Sequence, residues 1–315
     1  MTKRVAAVDC GTNSIRLLIA DLDAGWLTDV HREMRIVRLG QGVDATGEFA
    51  PDALVRTRSA LADYARLMQD HGVSEVRMVA TSAARDVSNR DAFFAMTAEV
   101  LGAVVDGAVA EVISGTEEAE LSFRGAVADL DSATGPFVVV DLGGGSTELV
   151  VGGAANGVDA SFSMDIGCVR LTERCLHSDP PTAEEISAAR SVIGEALDEA
   201  LRAVPVDAAR TWVGVAGTMT TLAALAHRMT TYDSAAIHLS RVGFGALLGA
   251  CEELIAMTRA QRAALGPMHE GRVDVIGGGA LIVTELVRAL GERTGIGDLV
   301  VSEHDILDGI ALSMG

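Results

Sequence analysis

Short apolar runs separated by glycine-rich or polar turns alternate with longer stretches of helical period along this 315-residue chain, the pattern of an α/β protein. The run Phe137 to Val151, FVVVDLGGGSTELVV, organises the rest. Bulky and β-branched residues at 137–140 and 149–151 flank Gly143, Gly144 and Gly145, which predicts two strands joined by a glycine hairpin. Residues 4–22, RVAAVDCGTNSIRLLIADL, repeat the theme: with Asp9 aligned on Asp141, Gly11, Ser14 and Leu17 fall on Gly143, Ser146 and Leu149. An internal repeat about one domain apart marks a duplicated fold.

Between and after these hairpins the pattern predicts the remaining elements. A strand runs from Trp26 to Arg38, with Arg32, Arg35 and Arg38 on a solvated face, and a helix runs from Pro51 to about Asp70. Val76–Ala80 reads as a strand leading into TSAARD, 89–101 as a helix and Val109–Ile113 as a strand. In the following ISGTEEAELSF, Ser114 and Glu117 have capping-box spacing, which occupies Glu117 and leaves Glu118 about 100° round the helix. Residues 126–136 are polar and turn-rich, so the domain boundary is placed there, giving domains 1–126 and 127–315.

The second domain continues with a strand at Ala160–Met164, a helix opened by Gly167 with Cys168 and Arg170 in its first turn, and a helix from Thr182 to Val204. A strand at Thr211–Val215 enters AGTMTTLAAL, and Gly277–Gly279 are expected to precede a helix over 280–290. The last strand, Asp298–Val301, meets a closing helix with Ser302 at its cap and His304 in its N-terminal turn; residues 303–315 are expected to pack back on the first domain.

Composition narrows the function. A net charge of −19 argues against nucleic-acid and membrane-surface binding, which need a basic face, but local arginines, amide dipoles and a divalent cation still allow a polyanion to bind. The four cysteines show no metal-ligand spacing and no disulfide framework, no run reaches the ~20 apolar residues of a membrane span, and the apolar run after Lys3 and Arg4 is broken by Asp9 and Arg16 too early for a signal peptide to be expected. These features place the protein in the cytoplasm. None of the seven histidines pairs with another as metal ligands in this reading.

The glycine hairpin suits phosphate, because Gly143, Gly144 and Gly145 let several N–H groups approach an anion beside the hydroxyls of Ser146 and Thr147. Asp141 and Glu148 flank it at a spacing suited to holding Mg²⁺. In the first copy Asn13 and Ser14 offer side-chain donors, Asp9 is a further candidate ligand, and Arg16 stands where the second copy has Glu148. Arg85, at the C-terminal end of a strand, is favoured as a phosphate contact. Gly217, Thr218 and Thr220 place amides and hydroxyls at a helix N-terminus, favourable for an anion. Plain alternatives stand beside these readings: a ligand-free hairpin, an exposed helical acid at Glu118, a buried structural cysteine at Cys168.

Two related glycine hairpins and two further glycine turns point to duplicated domains closing on a phosphate-bearing ligand, a pattern that resembles the sugar kinase, heat-shock ATPase and actin superfamily. That resemblance implies two actin-like, ribonuclease H-like domains with mixed β-sheets flanked by helices and a ligand cleft between them. TSAAR, ISGTEEAELSFRG, VVVDLGGGSTELV, IGCVRLTE, GVAGTMTTLA and VIGGGALIV, in this order, resemble the exopolyphosphatase and guanosine pentaphosphate phosphohydrolase family from Arg4 to about Gly309. The resemblance implies that Glu118 activates water, that Asp141 and Glu148 organise Mg²⁺, that Gly143 to Ser146 form the phosphate loop, and that Asn13, Arg85 and Cys168 line the anion channel. The chain departs from the longer members in stopping after Gly315, without their C-terminal His-Asp domain, and in having Leu307 and Asp308 where the family often has arginine and glutamate.

The expected activity is therefore Mg²⁺-dependent release of terminal orthophosphate from inorganic polyphosphate, with Mn²⁺ as the alternative ion and shorter chains preferred. Guanosine pentaphosphate hydrolysis is the nearest rival, followed by a small-molecule kinase and a nucleotide-binding switch. The resemblance leans towards a homodimer.

Overall fold

Strand β1 (Lys3–Cys10) is apolar on both sides because both its faces are covered, and it anchors the first of two sheets. The structure, a computed structural model, describes residues 2–85 and 87–315, in two units: 1–125 with 306–315, and 126–305. In the first, β1, β2 (Ser14–Asp23) and β3 (Trp26–Ile36) form an antiparallel meander, and β4 (Glu75–Ala80) and β5 (Ala110–Val112) extend it in parallel, in the order β3-β2-β1-β4-β5.

Successive side chains of a strand point to opposite faces, and the two cores divide accordingly. Ala6, Val8, Ile15, Leu17 and Ile19 pack with Leu61, Tyr64 and Met68 of the helix Pro51–Asp70 and with Phe93 of Arg90–Gly102. Val5, Ala7, Leu18, Ala20 and Val79 face Ile306, Leu307 and Ile310 of the C-terminal helix Ile306–Leu312. Asp308, buried in that helix, receives a bidentate pair from Arg32 on β3 at 2.5 and 3.2 Å. The position that departs from the family pattern is thus an anchor for the last helix.

The second unit repeats the plan. Strands β6 (Phe137–Leu142), β7 (Thr147–Gly153) and β8 (Gly157–Met164) form the meander. β9 (Thr211–Val215) lies parallel to β6, and β11 (Asp298–Val301) parallel to β9 with β10 (Ser240–Gly243) at the edge. The order is β10-β11-β9-β6-β7-β8. Trp212 on β9, fully buried, meets Phe244 edge-on at 5.6 Å inside a core completed by Met219, Leu222 and Leu281. Among the described residues no helix is long and apolar enough to cross a membrane.

Three local expectations are overturned. Gly277, Gly278 and Gly279 do not precede a helix but begin one, Ile276–Thr294, because a Cβ on Gly278 would lie 2.6 Å from Thr172 Oγ1 and one on Gly279 2.6 Å from Thr218 Cγ2. They are glycines for close helix packing. Ser302 does not cap the last helix, which starts at Ile306; its hydroxyl donates to the His304 carbonyl and accepts from the His304 N–H. The capping box at Ser114 is half made: Ser114 Oγ accepts from the Glu117 N–H, but the Glu117 carboxylate takes Arg77 Nη2 at 2.6 Å, an ionic partner outcompeting a neutral amide.

Candidate active site

The two glycine turns have one geometry. On the second unit, β6 and β7 pair up to Leu142 opposite Thr147, and the Gly143 N–H closes the turn on the Ser146 carbonyl at 3.0 Å. Asp141 lies directly opposite Glu148 in the ladder, so both carboxylates leave the same face of the sheet, and both residues are buried. Ser163 on β8 donates to Glu148 Oε1 at 2.8 Å. Two opposed carboxylates repel each other, which favours a cation between them. The donor set is oxygen throughout, so it fits a hard divalent cation such as Mg²⁺.

The turn's own carbonyls are used to seat the helix Cys168–Cys175. Cys168 N–H donates to the Gly143 carbonyl at 3.0 Å, and the Val169 and Arg170 N–H groups to the Gly144 carbonyl at 2.9 and 3.1 Å. Gly167 makes that contact feasible, since a Cβ there would run into the Gly144 carbonyl. Ser146 is buried in the turn, whereas the Thr147 hydroxyl expected beside an anion donates instead to the Ile166 carbonyl at 2.6 Å. Thr147 is therefore a brace and not an anion contact.

Cys168 is buried and its thiol is pushed up to about 11 by desolvation, with the Thr218 hydroxyl and the Arg272 charge pulling the other way. It is not a reactive thiolate at neutral pH. Thr218 thus faces Cys168, and Thr221 Oγ1 donates to the Gly217 carbonyl at 2.7 Å. Ala216 has a left-handed backbone (φ 70) where the helix Ala216–Ala226 begins. Arg272, which the sequence reading did not single out, lies with its guanidinium on Gly217, where any Cβ would collide with it, and donates to Thr221 Oγ1 at 3.2 Å. No local signal in the sequence marks this contact, since the two residues are brought together only by the fold.

On the first unit the β1–β2 turn closes in the same way, Gly11 N–H to the Ser14 carbonyl at 2.9 Å, with Asp9 opposite Arg16. Arg16 donates to Asp9 Oδ2 through Nε at 2.9 Å and Nη2 at 2.7 Å. A metal at Asp9 would have to compete with that guanidinium. Asn13 and Ser14 are half-buried at the turn, and the Asn13 carbonyl accepts from the Val37 and Arg38 N–H groups at 3.0 and 2.8 Å, which straps residues 37–40 onto it.

Glu118, on the helix Gly115–Ala126, is buried and accepts from Arg85 Nη1 at 2.6 Å; the same Arg85 nitrogen donates to the Ile113 carbonyl. Burial pushes the Glu118 carboxyl up to about 7, against the pull of Arg85 and the Thr81 hydroxyl, and Asp9 nearby raises it further. A carboxyl that titrates near neutrality is suited to taking a proton. The structure therefore brings Glu118, Arg85 and Asp9 together on one unit, and Gly143–Ser146, Asp141, Glu148, Cys168, Gly217 and Thr218 on the other.

Two sheets with one meander-plus-parallel plan, each carrying the same strand-turn-strand device, define the actin-like class of α/β proteins. Within it, the chain belongs to the Ppx/GppA phosphatase family, whose description matches residues 18–314. It is 70% identical over 315 residues to Exopolyphosphatase 2 of Mycobacterium tuberculosis, covering 99% of this chain and 98% of that protein. It is also similar to the crystal structure of an exopolyphosphatase-like protein, with a TM-score of 0.94, 42% identity and coverage of 100% and 98%. A family member from Aquifex aeolicus superposes with a TM-score of 0.80 at 31% identity, with the same coverages of 100% and 98%.

Proposed function

We propose that this chain is an exopolyphosphatase, a phosphoanhydride hydrolase that releases terminal orthophosphate from inorganic polyphosphate. The observation that carries the reading is Glu118, a buried carboxyl held by Arg85 and poised at about 7, set in a chain 70% identical to a protein named for this activity. Hydrolysis of an anhydride needs charge neutralisation on the transferred group, a positioned water and a base. In this reading Glu118 takes the proton from water, and Arg85 fixes its carboxylate. The main chain of Gly143, Gly144 and Gly145 with Ser146, the amides at Gly217 and Thr218, and Asn13 and Ser14 bind phosphate oxygens. Cys168 acts through packing, by seating its helix on the turn.

Asp141 and Glu148 would hold Mg²⁺, with Mn²⁺ as the alternative, and the bound ion would supply positive charge to the phosphoryl oxygens. Asp9, already paired with Arg16, is not assigned to the metal. Four buried free cysteines suit a reducing cytoplasm. Short polyphosphates are the preferred substrates in this reading, and guanosine pentaphosphate is the competing one.

The test measures orthophosphate release from short and long polyphosphate, and from guanosine pentaphosphate at equal concentration, by wild type and Glu118→Gln. The variant should lose on the order of 10²–10⁴ in kcat at an unchanged fold. Unaltered turnover in Glu118→Gln removes Glu118 as the base. Faster turnover of the long polymer overturns the short-chain preference, and faster turnover of guanosine pentaphosphate assigns the site to the nucleotide.

A further inference from the structure

The sequence reading pairs no two histidines, yet the fold of the second unit brings His238 and His304 together, ring centroids 4.5 Å apart. Asp129 joins them: its Oδ2 lies 2.6 Å from His304 Nδ1 and 3.5 Å from His238 Nε2. One ligand atom from each of the three residues lies within 4.8 Å of the other two. The side chains keep 43%, 22% and 35% of their surface for Asp129, His238 and His304, so an ion can reach them.

We propose that Asp129, His238 and His304 form a binding site for a transition-metal ion of the zinc class. Two imidazoles and one carboxylate are the ligand types that zinc, cobalt and nickel take, and they are poor for Mg²⁺, which holds oxygen ligands and water. The site is thus chemically distinct from the paired carboxylates of the β6–β7 turn. Three protein ligands leave a fourth position for water.

Binding exchanges one set of contacts for another. The Glu303 N–H donates to His238 Nδ1 at 3.2 Å, which places the proton of the neutral ring on Nε2, facing Asp129. For a metal to bind Nε2 the ring proton moves from Nε2 to Nδ1, which frees the Nε2 lone pair for the ion, and the Glu303 N–H turns to another acceptor. At His304 the metal takes Nδ1 and the ring proton moves to Nε2. No net proton is released from two neutral rings. Tetrahedral zinc–ligand bonds of about 2.0–2.1 Å set ligand atoms roughly 3.3 Å apart, so the 3.5 Å pair is already in place and the 2.6 Å pair must open. The second unit starts at Ala126 and ends at Asp305, so the ion would tie its first residues to its last.

The experiment uses the full chain, stripped of metal and held in saturating Mg²⁺, titrated with Co²⁺ and with Zn²⁺. One Co²⁺ per chain should give visible d–d absorption of a nitrogen and oxygen site without a thiolate charge-transfer band, and Zn²⁺ should displace it and raise Tm. Asp129→Asn, at an exposed position, should keep the metal-free activity and circular dichroism while weakening Co²⁺ by at least about tenfold. His304→Gln should do the same to binding. Co²⁺ bound equally well by wild type and Asp129→Asn, or no Co²⁺ absorption in wild type, overturns the assignment.

Discussion

The β1–β2 and β6–β7 turns share one closing hydrogen bond and one ladder register and carry opposite charges opposite the aspartate. Each is closed by the N–H of its first glycine on the carbonyl of its serine, at 2.9 and 3.0 Å, and in each an aspartate sits one residue before the last ladder pair. Opposite that aspartate stands Arg16 in the first unit and Glu148 in the second. The first turn is neutralised within itself, by two hydrogen bonds from Arg16 to Asp9. The second sets two carboxylates opposite each other in the ladder, an oxygen donor pair of the kind that holds a hard divalent cation. Duplication preserved the geometry, and a single side chain separates a structural ion pair from a candidate metal site.

The largest expected effect breaks that asymmetry. Asp141→Asn removes one of the opposed carboxylates, so Mg²⁺-dependent orthophosphate release should fall by about 10³-fold or more. Activity within tenfold of wild type would assign the metal elsewhere. Arg16→Ala strikes the other turn. It leaves the Asp9 carboxylate, 7% exposed, without its main cation, and should destabilise the chain by about 2–4 kcal/mol in urea unfolding. The double variant Asp9→Asn/Arg16→Gln should recover most of that loss; if it does not, the pair is more than self-neutralising.

The first turn also reaches the base. Asp9 raises the Glu118 carboxyl and Arg85 lowers it. If Glu118 must be ionised to act, kcat should rise with pH through about 7. Arg85→Gln should move that limb to higher pH and Asp9→Asn to lower pH, each visible in a pH–rate profile as up to about a tenfold change at the wild-type midpoint. An unmoved limb in Arg85→Gln would detach it from Glu118. Stability follows with the opposite sense: the folded carboxyl titrates above its ordinary 4.5, so its contribution is full at acid pH and is lost as pH rises from 4.5 to about 7. Glu118→Gln lacks that titration, so its stability should not decline between pH 4.5 and 8 as the wild type's does, whatever the variant loses by leaving Arg85 without its carboxylate.

Most of this architecture was legible because it is written locally. Short apolar runs broken by glycine turns gave β1, β2, β6, β7 and β9 to within a residue or two, and the DxGxxS repeat gave the duplication, since strand and turn chemistry depend on neighbours in sequence. What stayed hidden depends on partners far along the chain. Arg272 reaches Gly217 from 55 positions away, and nothing near either residue announces the contact. His238, His304 and Asp129 converge from three separate segments. Gly277–Gly279 read as a turn because glycine triplets usually are, but here their bareness serves helix packing against Thr172 and Thr218. Glu118 was found as an acid left over by a capping pattern; its raised carboxyl needed the burial that only the fold supplies.

The smallest expected effect tests whether the turns differ in backbone tightness as well as charge. A Cβ on Gly143 would sit 3.2 Å from the Ser146 carbonyl oxygen, closer than side chains ordinarily come, whereas one on Gly11 would sit 3.6 Å from the Ser14 oxygen, an ordinary contact. Gly11→Ala should therefore be neutral within about 0.5 kcal/mol, since reduced freedom in the unfolded chain offsets any crowding. Gly143→Ala should cost about 1 kcal/mol and, by shifting the Gly143 carbonyl that seats Cys168, should raise KM for polyphosphate more than it lowers kcat. Urea unfolding and steady-state kinetics on the two alanine variants decide it: equal losses at both positions would mean that the second turn is no tighter than the first, leaving the charge at Arg16 and Glu148 as the whole difference between them.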